Sequence, residues 1–327
     1  MEAASIAGRA LRRPALSRLP DRALKWGLTG LAALILALIA YFFVKLYIEA
    51  HPVFAKYGVL KFVFSNEWVP SKQEYGALPL VVGTLITSAI ALLLGVPVAV
   101  ASALYVTELA PRALRSPLTI LVDLLAAVPS VVYGLWGVFV LIPTLRPFQQ
   151  WLADTFHFIP YFAGSVAGPS YFIAGLILAI MILPIVAAIS REVMATVPVE
   201  HKEAALALGA TRWEMIRMSV LPYSRAGITG AAMLGLGRAI GETIAATLVI
   251  GNAADIGKSL FSQGYTLAAV IANEFGEAAS DKLHSASLIA AGLVLFVLTL
   301  IINALARYFV IRSERATTRN VPKGMAG

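Results

Sequence analysis

The chain contains no cysteine, and only 13% of its 327 residues are Asp, Glu, Lys or Arg. A soluble globular protein carries about twice that share of charge. The missing cysteines exclude a disulfide framework and a thiolate metal site, although they fix no compartment. HExxH, GxSxG and clustered Cys/His patterns are also absent. The four histidines, His51, His157, His201 and His284, are scattered and fall in loops or near the ends of apolar runs. No metal site is therefore expected, and nothing supplies the nucleophile–base pair that an intramembrane enzyme would need.

What the chain has is apolar surface: 59% hydrophobic residues and a mean hydropathy of +0.81. An all-α integral membrane protein is expected. A formal net charge of +8 would suggest nucleic acid in a soluble chain. In a membrane protein the first question is where the positive charges lie, and no nucleic-acid partner is expected. Six runs are long enough to cross a bilayer, at about 26–48, 78–106, 117–142, 169–190, 226–250 and 287–310. The first lacks the short core and small-residue cleavage site of a signal peptide. With the N-terminus inside, cytoplasmic pieces hold 17 Lys and Arg against six outside. Both termini are thus expected in the cytoplasm. The resulting segments are a basic tail over 1–25, a first span with its external segment over 26–77, a transmembrane body with the other five spans over 78–311, and a second basic tail over 312–327. Residues 143–168 read as an external loop.

Between spans four and five lies PVEHKEAALALGATRWEMIRMSVLP, Pro198 to Pro222. Pro198 suits the first position of a helix, and Ala204, Ala205 and Leu208 then share a face. Gly209 is placed to end that helix. Thr211 with Glu214 reads as a capping box that starts a second one, closed by Leu221-Pro222.

Arg238 and Glu242 stand near the middle of span five, four apart and so on one helical face. Charges at that depth usually face a bundle interior or a water-filled path. One reading is a self-compensating ion pair. The other is that Arg238 meets a passing oxyanion with its planar fork and Glu242 holds it between passages. Gly237 and Gly241 form a small-xxx-small spacing suited to close helix packing. Thr243 and Thr247 carry hydroxyls for an oxyanion or for their own backbone. Asp123 in span three pairs with Arg238, or sits in the interface near Arg112 and Arg115. Asn303 reads as interhelical glue.

Glu203-Ala204-Ala205, then Gly209, then Leu221-Pro222, resembles the EAA loop of ABC importer permeases. Ser219 stands where that family usually has Ile. GLGRAIGETIAATLVIGN, from Gly235, and EYGALPLVVGTLITSAIALLLGVPVAVASALYVTELAP, from Glu74, extend the resemblance to the membrane subunits of the phosphate importer. The resemblance implies the type I (MetI-like) permease fold and a coupling role for Glu203, Ala204, Ala205, Gly209, Leu221 and Pro222 at an ATPase subunit. It places Arg238 and Glu242, with Thr243 beside them, on the phosphate path. It also implies a second permease, a dimer of ATP-binding subunits holding ATP and Mg, and an external phosphate-binding protein, with no cofactor bound by this chain. Sulfate or molybdate is the rival cargo. An ion-coupled secondary transporter is the rival class, for which Asp123 and Glu242 offer acids but no repeat of the halves is evident. Gly251 to Ser259 imitates a phosphate-binding P-loop, yet has five residues between its glycines where the motif has four. It is read as a loop.

Overall fold

Helix α7, Tyr171–Ala195, is the axis on which the other helices are assembled. It is apolar on all sides, as a helix surrounded by protein should be. Ser170 caps it, accepting from the Ile173 amide at 3.4 Å. The protein, seen here as a computed structural model, is described over residues 19–318, with side chains over 23–308. It divides into two units, 1–49 and 50–327.

The first unit is the leading part of α1, Leu19–Tyr57. Its window from Ala23 has a mean hydropathy of 2.4 and none of it is buried. That length of bare hydrocarbon suits a bilayer and not water. Helix α1 begins inside the expected basic tail. Arg9, Arg12, Arg13 and Arg18 of that tail lie outside the described residues, as do Arg319 and Lys323 at the other end.

In the second unit, α2 (Val59–Phe64) leads to an antiparallel pair, Trp68–Val69 with Glu74–Tyr75. Helix α3 follows over Leu78–Leu104 and runs along α7. Then come α4 (Arg112–Ala126), α5 (Ser130–Trp136) and α6 (Ile142–Thr155). The third span therefore differs from the sequence reading. The apolar run over 117–142 breaks at 127–129, and the helix able to span is Ser130–Thr155. Pro129 forces the break, because it disfavours helical backbone in the residue before it. Residues 143–155, expected as loop, continue that helix. After α7 come α8 (Val199–Ala207), α9 (Arg212–Met215), α10 (Leu221–Gly241) and α11 (Ile244–Ile250). Helices α12 (Leu267–Ala278) and α13 (Lys282–Thr318) close the order, and α13 carries helix into the expected C-terminal tail. Among the described residues five helices are long and apolar enough to span, or six if the bent pair 212–241 and 244–250 counts as one.

Three prolines are accommodated in the same way. The residues before Pro111, Pro143 and Pro222 each donate to the carbonyl five residues back: Ala110 to Tyr105, Ile142 to Gly137 and Leu221 to Ile216. Each forms a π turn. A proline has no N–H and its ring crowds the preceding turn, and a widened turn relieves both. Pro222 consequently does not close a helix as expected. The helix runs through Ile216–Val220 into α10 without a stop.

The close helix packing lies elsewhere than expected. A Cβ on Gly175 of α7 would stand 2.5 Å from the Ile90 Cβ, and one on Gly95 of α3 would stand 2.9 Å from the Ala179 carbonyl. These two glycines let α3 and α7 touch. Gly237 and Gly241 meet nothing. Between the antiparallel pair and α12–α13, the Trp68 indole donates to Glu274 at 3.0 Å, and His284 bonds the same carboxylate oxygen at 2.9 Å. Tyr75 stacks on His284, and burial pushes its hydroxyl pKa up to about 12. Gly175→Ala is expected to cost about 1–3 kcal/mol and to lower the unfolding temperature of the detergent-purified chain. Gly237→Ala should not lower it.

Candidate transport path and coupling surface

Two places gather the singled-out residues: the helix–elbow–helix between α7 and α10, and the break between α10 and α11. In the first, Pro198 is the residue just before α8, not its first turn. Gly209 ends the segment in the left-handed region at φ +84°, where a side chain would be strained. Thr211 and Glu214 form the capping box: the Thr211 amide donates to Glu214 at 2.8 Å, and the Glu214 amide donates to the Thr211 hydroxyl at 3.3 Å.

The three short residues expected on one face separate. Ala205 is 7% exposed, in a cluster with Leu104, Met194, Val197, Met215 and Ile216. Ala204 is exposed, and Leu208 is 88% exposed. Helix α8 thus faces inward through Ala205. Outward it shows Glu203, Ala204, Leu206 and Leu208, with Trp213 of α9 exposed beside them. Bare Leu and Trp on a polar loop read as an uncovered contact surface. Ser219, where an Ile would add only bulk, donates its hydroxyl to the His201 carbonyl at 3.1 Å and ties α10's lead-in to α8.

The second place departs further from the sequence reading. Helix α10 ends at Gly241, and Glu242 is extended at φ −70°, ψ 126°. The axis turns by 64° before α11. Arg238 and Glu242 therefore do not share a helical face. Glu242 accepts from the Ala245 amide at 3.3 Å and serves the start of α11. Thr243 donates to the Gly241 carbonyl at 3.2 Å, and Thr247 to the Thr243 carbonyl at 2.8 Å. Among the described residues no carboxylate is ion-paired with Arg238, and its Nε is buried without a hydrogen-bond partner. Tyr133 of α5 lies within electrostatic range of Arg238. A half-buried guanidinium with an unmet donor, flanked by two glycines that face open space, is poised for an anion.

Asp123 has a charge partner the sequence reading did not name, and it is not Arg238. It lies near the end of α4 and accepts from Arg191 of α7 at 3.4 Å. No group of three or more potential metal ligands occurs among the described residues.

A family model described as binding-protein-dependent transport system inner membrane component matches residues 95–315. The chain belongs to this family. This permease is 46% identical over 291 residues to the phosphate transport system permease protein PstC of Mesorhizobium japonicum, covering 88% of each chain. It is 48% identical over 254 residues to PstC 2 of Mycobacterium tuberculosis, covering 75% and 78%. It is 39% identical over 278 residues to a probable PstC of Methanocaldococcus jannaschii, covering 83% and 86%. A bacterial alginate ABC transporter, solved with its periplasmic protein carrying an alginate pentasaccharide, superposes with a TM-score of 0.59 at 19% identity over 90% of the permease and 98% of that chain. That likeness establishes the type I importer permease fold. The matched region takes in both the 198–222 segment and the helix break.

With Ala205 filled in on all sides, Ala205→Leu is expected to cost about 1–3 kcal/mol by overpacking, read as a lower unfolding temperature. Leu208→Glu touches no core. It should leave that temperature unchanged and abolish co-purification of the ATP-binding subunit that the resemblance implies.

Proposed function

We propose that this permease moves inorganic phosphate inward across the cytoplasmic membrane, driven by ATP hydrolysis in a separate subunit. The observation that carries the reading is Arg238: a half-buried guanidinium in a membrane helix, with an unpartnered donor and no carboxylate paired to it. A charge in that position without a partner is costly, and the planar fork matches a tetrahedral oxyanion in two hydrogen bonds. The PstC relatives supply phosphate as the oxyanion. Gly237 and Gly241 keep the approach free of side chains. Glu242 holds the α11 start and leaves Arg238 for the anion.

The exposed Leu206, Leu208 and Trp213 surface, with Glu203 at its edge, docks on the ATP-binding subunits, which hold ATP and Mg as a dimer. In this reading both termini lie in the cytoplasm, which the distribution of Lys and Arg supports. A second permease of like fold completes the path, and an external phosphate-binding protein delivers the anion. Closure of the ATPase pair reaches the helices as a rigid-body movement of α8.

Removing one charge-assisted, bidentate contact is worth about 1.5–3 kcal/mol, so Arg238→Gln should lower phosphate uptake by about tenfold or more while the complex still assembles. Arg238→Lys, a point charge without the fork, should retain part of it. Sulfate uptake in the same cells should not respond. Native phosphate uptake by the Gln variant contradicts the reading.

A further inference from the structure

An ion pair, buried on its carboxylate side, joins α8 to the transmembrane body. Lys202 Nζ of α8 donates to Glu108 Oε1 at 2.6 Å across 94 residues of sequence. The Glu108 side chain is 8% exposed and that of Lys202 21%. Glu108 stands in the π turn Tyr105–Leu109 that extends α3, so the turn imposed ahead of Pro111 also positions this carboxylate. The neighbouring cations have other partners. In the cavity of about 360 Å³ lined by Glu108, Arg115, Arg191 and Lys202, Arg115 Nε donates to the Ala110 carbonyl at 3.0 Å and Arg191 bonds Asp123. Glu108 therefore has Lys202 as its charge partner. The same junction is tightened by Ala205 packed near Leu104 and Ala103.

We infer that the Glu108–Lys202 pair is a strut that locks α8 to the cytoplasmic end of α3, so that a displacement of the docked helix moves α3 as one body with it. This rests on α8 being the surface that docks on the ATPase. Apolar contact at Ala205 alone lets a short helix slide or tilt. A buried pair resists that, because separating its members leaves an uncompensated charge. The continuation of the route is packed helix: α3 lies along α7, and α7 along α10, whose last turn carries Arg238. Glu108 and Lys202 are positioning residues. Neither touches the anion.

The test uses the whole complex, with the partner permease, ATP-binding subunits and external phosphate-binding protein, reconstituted in liposomes. The chain has no native cysteine, so Ala101→Cys in α3 and Ala207→Cys in α8 accept a single pair of spin labels. With the native pair, the label distance should be the same in the nucleotide-free and ATP-held states. With Lys202→Glu it should change between states, and phosphate uptake per ATP hydrolysed should fall about tenfold or more, since an unpaired buried charge releases the joint. The exchange Glu108→Lys with Lys202→Glu should restore both. A native label distance that changes with nucleotide overturns the strut, as does a single variant with native uptake per ATP, or an assembled exchange variant that restores neither. If the native complex moves no phosphate, the transport reading fails, while the label distance still decides on the strut.

Discussion

A backbone in hydrocarbon must find its hydrogen-bond partners within the protein, and the rest of this structure follows from how the chain meets that demand. It places proline, glycine and charged residues inside or beside its spans, where each removes a bond or interrupts a helix. Before Pro111, Pro143 and Pro222 the answer is a π turn, with the preceding residue bonding five back. At Gly241 the answer is a full break, and the donors freed at the start of α11 are met in part by the Glu242 carboxylate. The proposed function draws on these interruptions. One π turn aims Glu108 at α8, another carries the chain from α9 into α10, and the break sets Arg238 between two glycines that face open space.

The two ends of the permease are linked by α7. Its middle packs with α3 and α10 through Ile182 and Val186, and its last turn lies in the cluster that seats Ala205. Glycines at 95 and 175 bring α3 and α7 into direct contact, so the pair has little freedom to slide. Interiors packed this closely shift between discrete arrangements instead of deforming smoothly. A push at Ala205 and Lys202 and a response at Arg238 are consistent with one rigid group of helices.

Much of this was legible in the sequence where the signal is local. Thr211 with Glu214 three residues on announced a capping box, and Gly209 announced a helix end. Both depend on backbone rules that operate within a turn or two. The apolar runs announced the spans, because hydropathy over some twenty residues needs no tertiary information. The break at 127–129 was hidden, since apolar residues continue on both sides of Pro129 and periodicity cannot separate a bent helix from a straight one. The same limit put Arg238 and Glu242 on one face. Spacing by four implies a shared face only if the helix persists through Gly241, and it does not. Gly237 and Gly241 matched a packing motif, yet the close contacts fall at other glycines, among them Gly95, Gly175 and Gly235, because only the neighbouring helix decides which small residue is used. The Glu108–Lys202 pair joins residues in separate segments, and no pattern within either points to the other.

The account turns on the break at 241–243 lying on the anion's path. Gly241 is exposed, and a Cβ added to it would meet no other atom. The decisive measurement is the rate at which a membrane-impermeant thiol reagent, applied from either side, modifies Gly241→Cys in the otherwise cysteine-free chain within the full complex. The account predicts reactivity from one side without nucleotide and from the other with ATP held, slowed in both states by inorganic phosphate and not by sulfate. Reactivity that ignores both nucleotide and phosphate would place the break off the path and contradict it.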